Sequence, residues 1–174
     1  MNQASIQLDA KKSAYQVLDK AWRGHSFPVD PKAIAVAMGL TVLEAELPET
    51  ILGGVIKDAD KNAVVMLNQC DSDDHKRFNC AQKLGYYIEQ SRQHAECYKY
   101  VEFRVRQGSM DSGVSEIFAD AFAASLLMPE LAIRQLARKG MAFKGMTRHF
   151  GVTAEALEYR LKQLGIDLEQ IVAA

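Results

Sequence analysis

Three neighbouring side chains, Gln82, Lys83 and Tyr86, set the chemical question in this sequence. They fall in Arg77-Phe78-Asn79-Cys80-Ala81-Gln82-Lys83-Leu84-Gly85-Tyr86-Tyr87. In a helix, positions 82 and 86 lie one above the other on the same face. A glutamine amide and a phenol are weak metal donors, the phenol acting only as phenolate with an unperturbed pKa of about 10. Lys83, while protonated, is neither a metal ligand nor a general base. Desolvation would lower the pKa of that amine and make it reactive; the plainer expectation is that the three side chains fill space.

Other candidate ligands are scattered. The histidines are His25, His75, His94 and His149, and the cysteines are Cys70, Cys80 and Cys97. His94 and Cys97 stand one helical turn apart if that stretch is helical, with Cys80 as a further thiol for a relocated metal site. The simpler expectation is surface histidines and core cysteines.

A long helix has to position residues 82, 83 and 86. DSDDHKRFNCAQKLGYYIEQSRQ reads as that helix, with Asp71, Asp73 and Asp74 at its start, where the helix dipole favours negative charge. Ala81, Leu84 and Ile88, with Cys80 and Tyr87, give its buried face. A second apolar helix, SGVSEIFADAFAASLLMPE, stops at Met128-Pro129. Upstream, residues 5 to 23 form an amphipathic helix. Asp30-Pro31 then starts another helix, with a capping oxygen followed by a proline that needs no N–H partner, and Gly39 ends it. TVLEAEL, ILGGVIKD and AVVMLN read as strands, the last two joined by the turn-like ADKN. YVEFRV is a short strand or an extended loop. Strands in the first half and helices in the second predict an α+β fold, with helices on one face of a small sheet.

Bulk properties narrow the function classes. A chain of 174 residues suits one compact domain with a core that needs no staples. Lys plus Arg number 21 and Asp plus Glu 22, for a net charge of −1, so whole-chain charge gives no drive toward nucleic acid or membrane. An odd cysteine count without CxxC predicts reduced thiols. No apolar run suits a signal peptide or a membrane span, so the expected compartment is the cytoplasm.

The Arg77–Tyr87 segment, with FPVDPKAIAVAMGL (27–40), FADAFAASLLMPE (118–130) and HFGVTAEALEYRLKQLG (149–165), resembles the ImmA/IrrE family of zinc metallopeptidase-like proteins. The resemblance runs from about residue 13 to residue 165. It implies a zincin-like scaffold and a long helix carrying an HExxH-type motif, in which two histidines hold zinc and the glutamate takes a proton from the bound water. In that frame Gln82 stands at the first histidine, Lys83 at the glutamate and Tyr86 at the second histidine, while Leu84 and Gly85 are retained. Counting back from LLMP through Ala119-Asp120 puts the third, carboxylate, ligand at Glu116. The implied site is therefore vestigial, with no catalytic residue and no zinc cofactor expected.

The resemblance divides the chain into a peptidase-like domain over residues 1-135 and a C-terminal helical unit over 136-174, packed on the same core. Within the latter, MTRHFGVTAEALEYRLKQLG looks like a helix-turn-helix, with Thr153 as the N-cap of its second helix. Arg148, Arg160 and Lys162 are its candidate contacts to DNA or a partner. Glu155 and Glu158 mix the charge, and the plainer expectation is that the pair closes one side of the fold. Some family members cut a helix-turn-helix repressor. The expected function here is a catalytically inactive regulatory protein that binds such a repressor or a similar protein, in a mobile-element or stress setting. The alternatives are an active endopeptidase with a rebuilt site, a DNA-binding regulator, and a toxin–antitoxin-like component. The sequence gives no oligomeric state.

Overall fold

A computed structural model describes residues 2–22, 26–59, 61–94, 99–105, 113–167 and 171. His25 and Cys97, two of the candidate ligands above, lie outside the described residues.

Local chemistry sets the element ends. Helix α1 (Gln3–Ala21) is capped by Asn2 and buries Ile6, Ala10, Ala14 and Leu18. The Asp30 carboxylate accepts from the Lys32 and Ala33 N–H groups, with Pro31 opening α2 (Pro31–Ala37), as the sequence predicts. The chain leaves α2 through Gly39 at φ 84°.

Strands β1 (Thr41–Ala45), β2 (Ile51–Lys57), β3 (Val64–Asn68) and β4 (Tyr100–Val105) form one sheet in the order β1-β3-β2-β4. β2 and β3 make the expected antiparallel hairpin, and β1 pairs parallel to β3. Residues 100 to 105 are an edge strand, antiparallel to β2. Val55, Val65 and Leu67 on the inner face are fully buried, and α3 (Asp73–Gln93) packs on β2 and β3. The Ser72 hydroxyl caps α3 by accepting from the His75 N–H, and Asp73 and Asp74 lie in its first turn.

Helix α4 (Val114–Leu127) packs between α1 and α3. It is apolar around most of its circumference, as a helix sandwiched on two sides must be. Three further helices follow: α5 (Glu130–Arg138), α6 (Phe143–Phe150) and α7 (Ala154–Gln163). Gly151, at φ +60°, ends α6, and the Thr153 hydroxyl caps α7 by accepting from the Ala156 N–H. Arg77 of α3 donates to the Gly151 carbonyl at 2.7 Å, which ties this turn to the middle of the molecule. Met146, Phe150, Leu157 and Leu161 join the same core as α3 and α4. The fold is α+β, with a mixed four-stranded sheet. Among the described residues no helix is long and apolar enough to cross a membrane.

Candidate functional site

The middle of α3 is buried on nearly every side, because the sheet presses on one face and α4 on another. The sequence pattern gave one buried stripe. In the structure Cys80, Ala81 and Leu84 are buried as expected, Tyr87 and Ile88 are only half-buried, and Gln82, Lys83 and Tyr86 are buried as well. Gly85 permits this. A Cβ added there would stand 2.9 Å from the Ala119 Cα and 3.2 Å from the Phe122 Cβ, so α3 and α4 approach at a distance only glycine allows.

That approach brings the three chemical positions against α4. The Gln82 amide donates through Nε2 to the Asp120 carboxylate. Its Oε1 is buried with no hydrogen-bond partner among the described residues. Lys83 is 0% exposed, and its ammonium lies 5.0 Å from the centre of the Tyr86 ring, within cation–π range. Glu116 is half-buried one turn before Asp120 on α4. Gln82 is therefore met by Asp120, and Glu116, the carboxylate expected from the sequence, lies one turn away. Tyr100 on β4 belongs to the same neighbourhood. Burial, then the charge of Glu102, and further Tyr86 and Glu89, push its phenol well above the ordinary value, so it stays protonated. Burial also pushes the Cys80 thiol up to about 12, which makes it inert as a nucleophile.

In front of Asp120 a cleft of about 410 Å³ opens between β2, α3, α4 and α7. Leu52, Phe78, Ala156 and Tyr159 supply its apolar lining. Asn79, Asp120, His75 and Glu155 supply polar groups. Glu155 is held below the ordinary carboxylate range by hydrogen bonds from its own backbone N–H and from Thr153, so it is anionic at neutral pH. Apolar walls with a few oriented polar groups are the usual make-up of a ligand-binding cleft.

The donor set does not fit a zinc ion. Where α3 faces α4 it presents an amide, a buried ammonium and a phenol, and the facing carboxylate of Asp120 is engaged by the amide. Among the described residues no three His, Cys, Asp or Glu side chains gather closely enough to hold a metal ion.

The C-terminal candidates separate. Arg148 and Lys162 are exposed. Arg160, expected on a contact surface, is 3% exposed, and its Nε donates to the Met128 carbonyl at 3.0 Å. It fastens α7 to the end of α4 and is not available to DNA. Leu157 and Leu161 define the buried stripe, and Arg160, next to Leu161 in sequence, turns inward with it. The outward face of α7 carries Glu155 and Glu158 with Lys162, a charge pattern that opposes a phosphate backbone.

Sequence reasoning missed Asn79, Thr153, Glu155 and Tyr159 as cleft residues. Asp120 was within reach, one residue after Ala119 and one turn after Glu116. The others come together only when α7 folds back across α3 and α4.

Comparison with known proteins agrees with this geometry. The profile of the Peptidase_M78 family, described as the IrrE N-terminal-like domain, matches residues 35–162. A Mycobacterium tuberculosis transcriptional regulator has a similar fold, with a TM-score of 0.61 at 16% identity over 92% of this chain and 51% of that one. This chain thus spans about half the length of that protein. No curated protein matches it.

Proposed function

We propose a regulatory, non-cleaving role for this chain, which belongs to the Peptidase_M78 family of IrrE N-terminal-like domains. In this reading Gln82, Lys83 and Tyr86 occupy the metal-binding and general-base positions of a metallopeptidase helix, and the former metal site is filled by packed side chains. One observation carries the reading: Lys83 is wholly buried against Tyr86, one residue from the Gln82–Asp120 contact. A lysine at that spot supplies no carboxylate base and, while protonated, repels a zinc ion.

The cleft stays open, and it provides a surface on which a protein can be held without being cut. The partner we propose is a helix-turn-helix repressor or a similar regulatory protein, met in the cytoplasm. The name of the mycobacterial protein of like fold, a transcriptional regulator, fits such a setting. DNA is the less suited partner, since Arg160 is buried and two glutamates face outward on α7.

Calorimetric titration of the full chain with a full-length repressor of this class, followed by mass spectrometry of the repressor, tests the proposal. The expected result is binding that Glu155→Arg on the cleft rim weakens about tenfold or more, with the repressor intact. A shortened repressor contradicts the non-cleaving reading. Binding unchanged by Glu155→Arg contradicts the role of the cleft.

A further inference from the structure

Helices α1, α4 and α7 enclose a small cavity of about 160 Å³. Gln7 and Lys11 of α1, Ser125 of α4, and Arg160 and Gln163 of α7 border it. Gln7 and Lys11 stand one turn apart on one face of their helix. No residue lining this cavity also lines the cleft, so the inference does not depend on what the cleft binds.

Charge in this corner is unbalanced. Lys11 and Arg134 both form ion pairs with Glu130, and Arg160 feels the same carboxylate. Three cations thus share one anion, which leaves two positive charges in excess. Arg160 is the deepest of them, at 3% exposed. Its neighbours are the Met128 carbonyl, the Gln163 amide oxygen and the Tyr15 hydroxyl, none of them a carboxylate. Its Nη2 is buried with no hydrogen-bond partner among the described residues. Burial lowers the pKa of this group, yet a guanidinium stays protonated at neutral pH. A buried cation without a counter-charge is costly, and an unsatisfied buried donor is rare enough to call for a water or an ion.

We propose that this cavity binds a small dianionic oxyanion, either inorganic phosphate or the phosphate head of a small ester. The charge of a dianion matches the excess around Glu130. Lys11 and Arg160 supply opposite charge from two sides, and charge-assisted hydrogen bonds of this kind are the strong ones. The Ser125 hydroxyl and the Gln7 amide add neutral donors. The volume is about five times the roughly 30 Å³ that one water takes in the liquid. That accommodates a tetrahedral oxyanion and excludes a large organic ligand.

Isothermal titration calorimetry of the full chain with sodium phosphate, at fixed pH and ionic strength, tests the inference. Saturable binding of one phosphate per chain is expected, with a Kd of about 0.1–1 mM. Acetate, a monoanion, is expected to bind about tenfold more weakly or not at all. Methyl phosphate separates the two sources: equal or tighter binding supports an ester, and clearly weaker binding supports the free ion. Lys11→Gln is expected to weaken phosphate binding about tenfold or more, and Ser125→Ala about threefold. Lys12→Gln, at an exposed lysine on the same helix, is expected to change nothing. Each variant is checked for intact folding by circular dichroism. No saturable binding up to about 10 mM phosphate overturns the inference. So does acetate binding as tightly as phosphate, affinity that Lys11→Gln and Ser125→Ala both leave unchanged, or an equal loss in Lys12→Gln.

Discussion

The ammonium of Lys83 lies 5.0 Å from the centre of the Tyr86 ring, and both side chains are closed off from solvent. The ring face offers negative potential to a charge that has lost its water. The adjacent Gln82 amide meets Asp120 of α4. The space between the two helices is thereby occupied by organic side chains.

If these positions correspond to a metal helix, restoring the ligands restores the metal. The triple variant Gln82→His, Lys83→Glu, Tyr86→His is expected to take up stoichiometric zinc, with a carboxylate of α4 completing the set. Metal analysis after dialysis against zinc reads this directly. A folded triple variant that stays metal-free shows that the positions do not correspond.

The closeness of α3 and α4 rests on Gly85. Gly85→Ala sets a Cβ 2.9 Å from the Ala119 Cα, where backbone cannot yield cheaply. Overpacking costs about 1–3 kcal/mol and the gain in helix propensity returns about 1 kcal/mol, so a net loss of up to about 2 kcal/mol is expected in urea unfolding. An unchanged midpoint would mean a wider helix spacing.

Arg160 acts within the core. Arg160→Ala removes donors to the Met128 carbonyl at 3.0 Å and the Gln163 side chain at 3.2 Å. The expected cost is about 2–4 kcal/mol, against less than about 0.5 kcal/mol for Lys162→Ala on the surface. Equal, small effects would contradict the anchoring role.

Glu130 supplies a pH signature. Hydrogen bonds from Lys11 and then Arg134 lower its pKa from 4.5 to about 2. Its folded-state pKa is depressed, so the stability it contributes is fully present above pH 4.5 and fades as the pH falls toward 2. The gap in urea midpoint between the native chain and Glu130→Gln is expected to be widest near neutrality and to close through that window. A gap independent of pH would show that the ion pairs do not set this titration.

Much of the fold was legible locally. Asp30-Pro31, Gly39 and Thr153 act through short-range capping, and the structure places those helix ends where the residues put them. The burial of Gln82 and Lys83 was not legible. A glutamine and a lysine read as a solvated face unless tertiary packing closes over them, and here α4 does so from 38 residues away in sequence. Arg160 failed for the same reason: Leu157 and Leu161 give the stripe, but only the end of α4 shows that the arginine turns inward with it.

The central claim is that Gln82, Lys83 and Tyr86 fill a space where relatives would hold zinc. Elemental analysis of the purified chain, before and after equilibration with zinc, tests it most directly. Zinc far below stoichiometric is expected in both samples. Stoichiometric zinc that Asp120→Ala or Tyr86→Phe removes would contradict it.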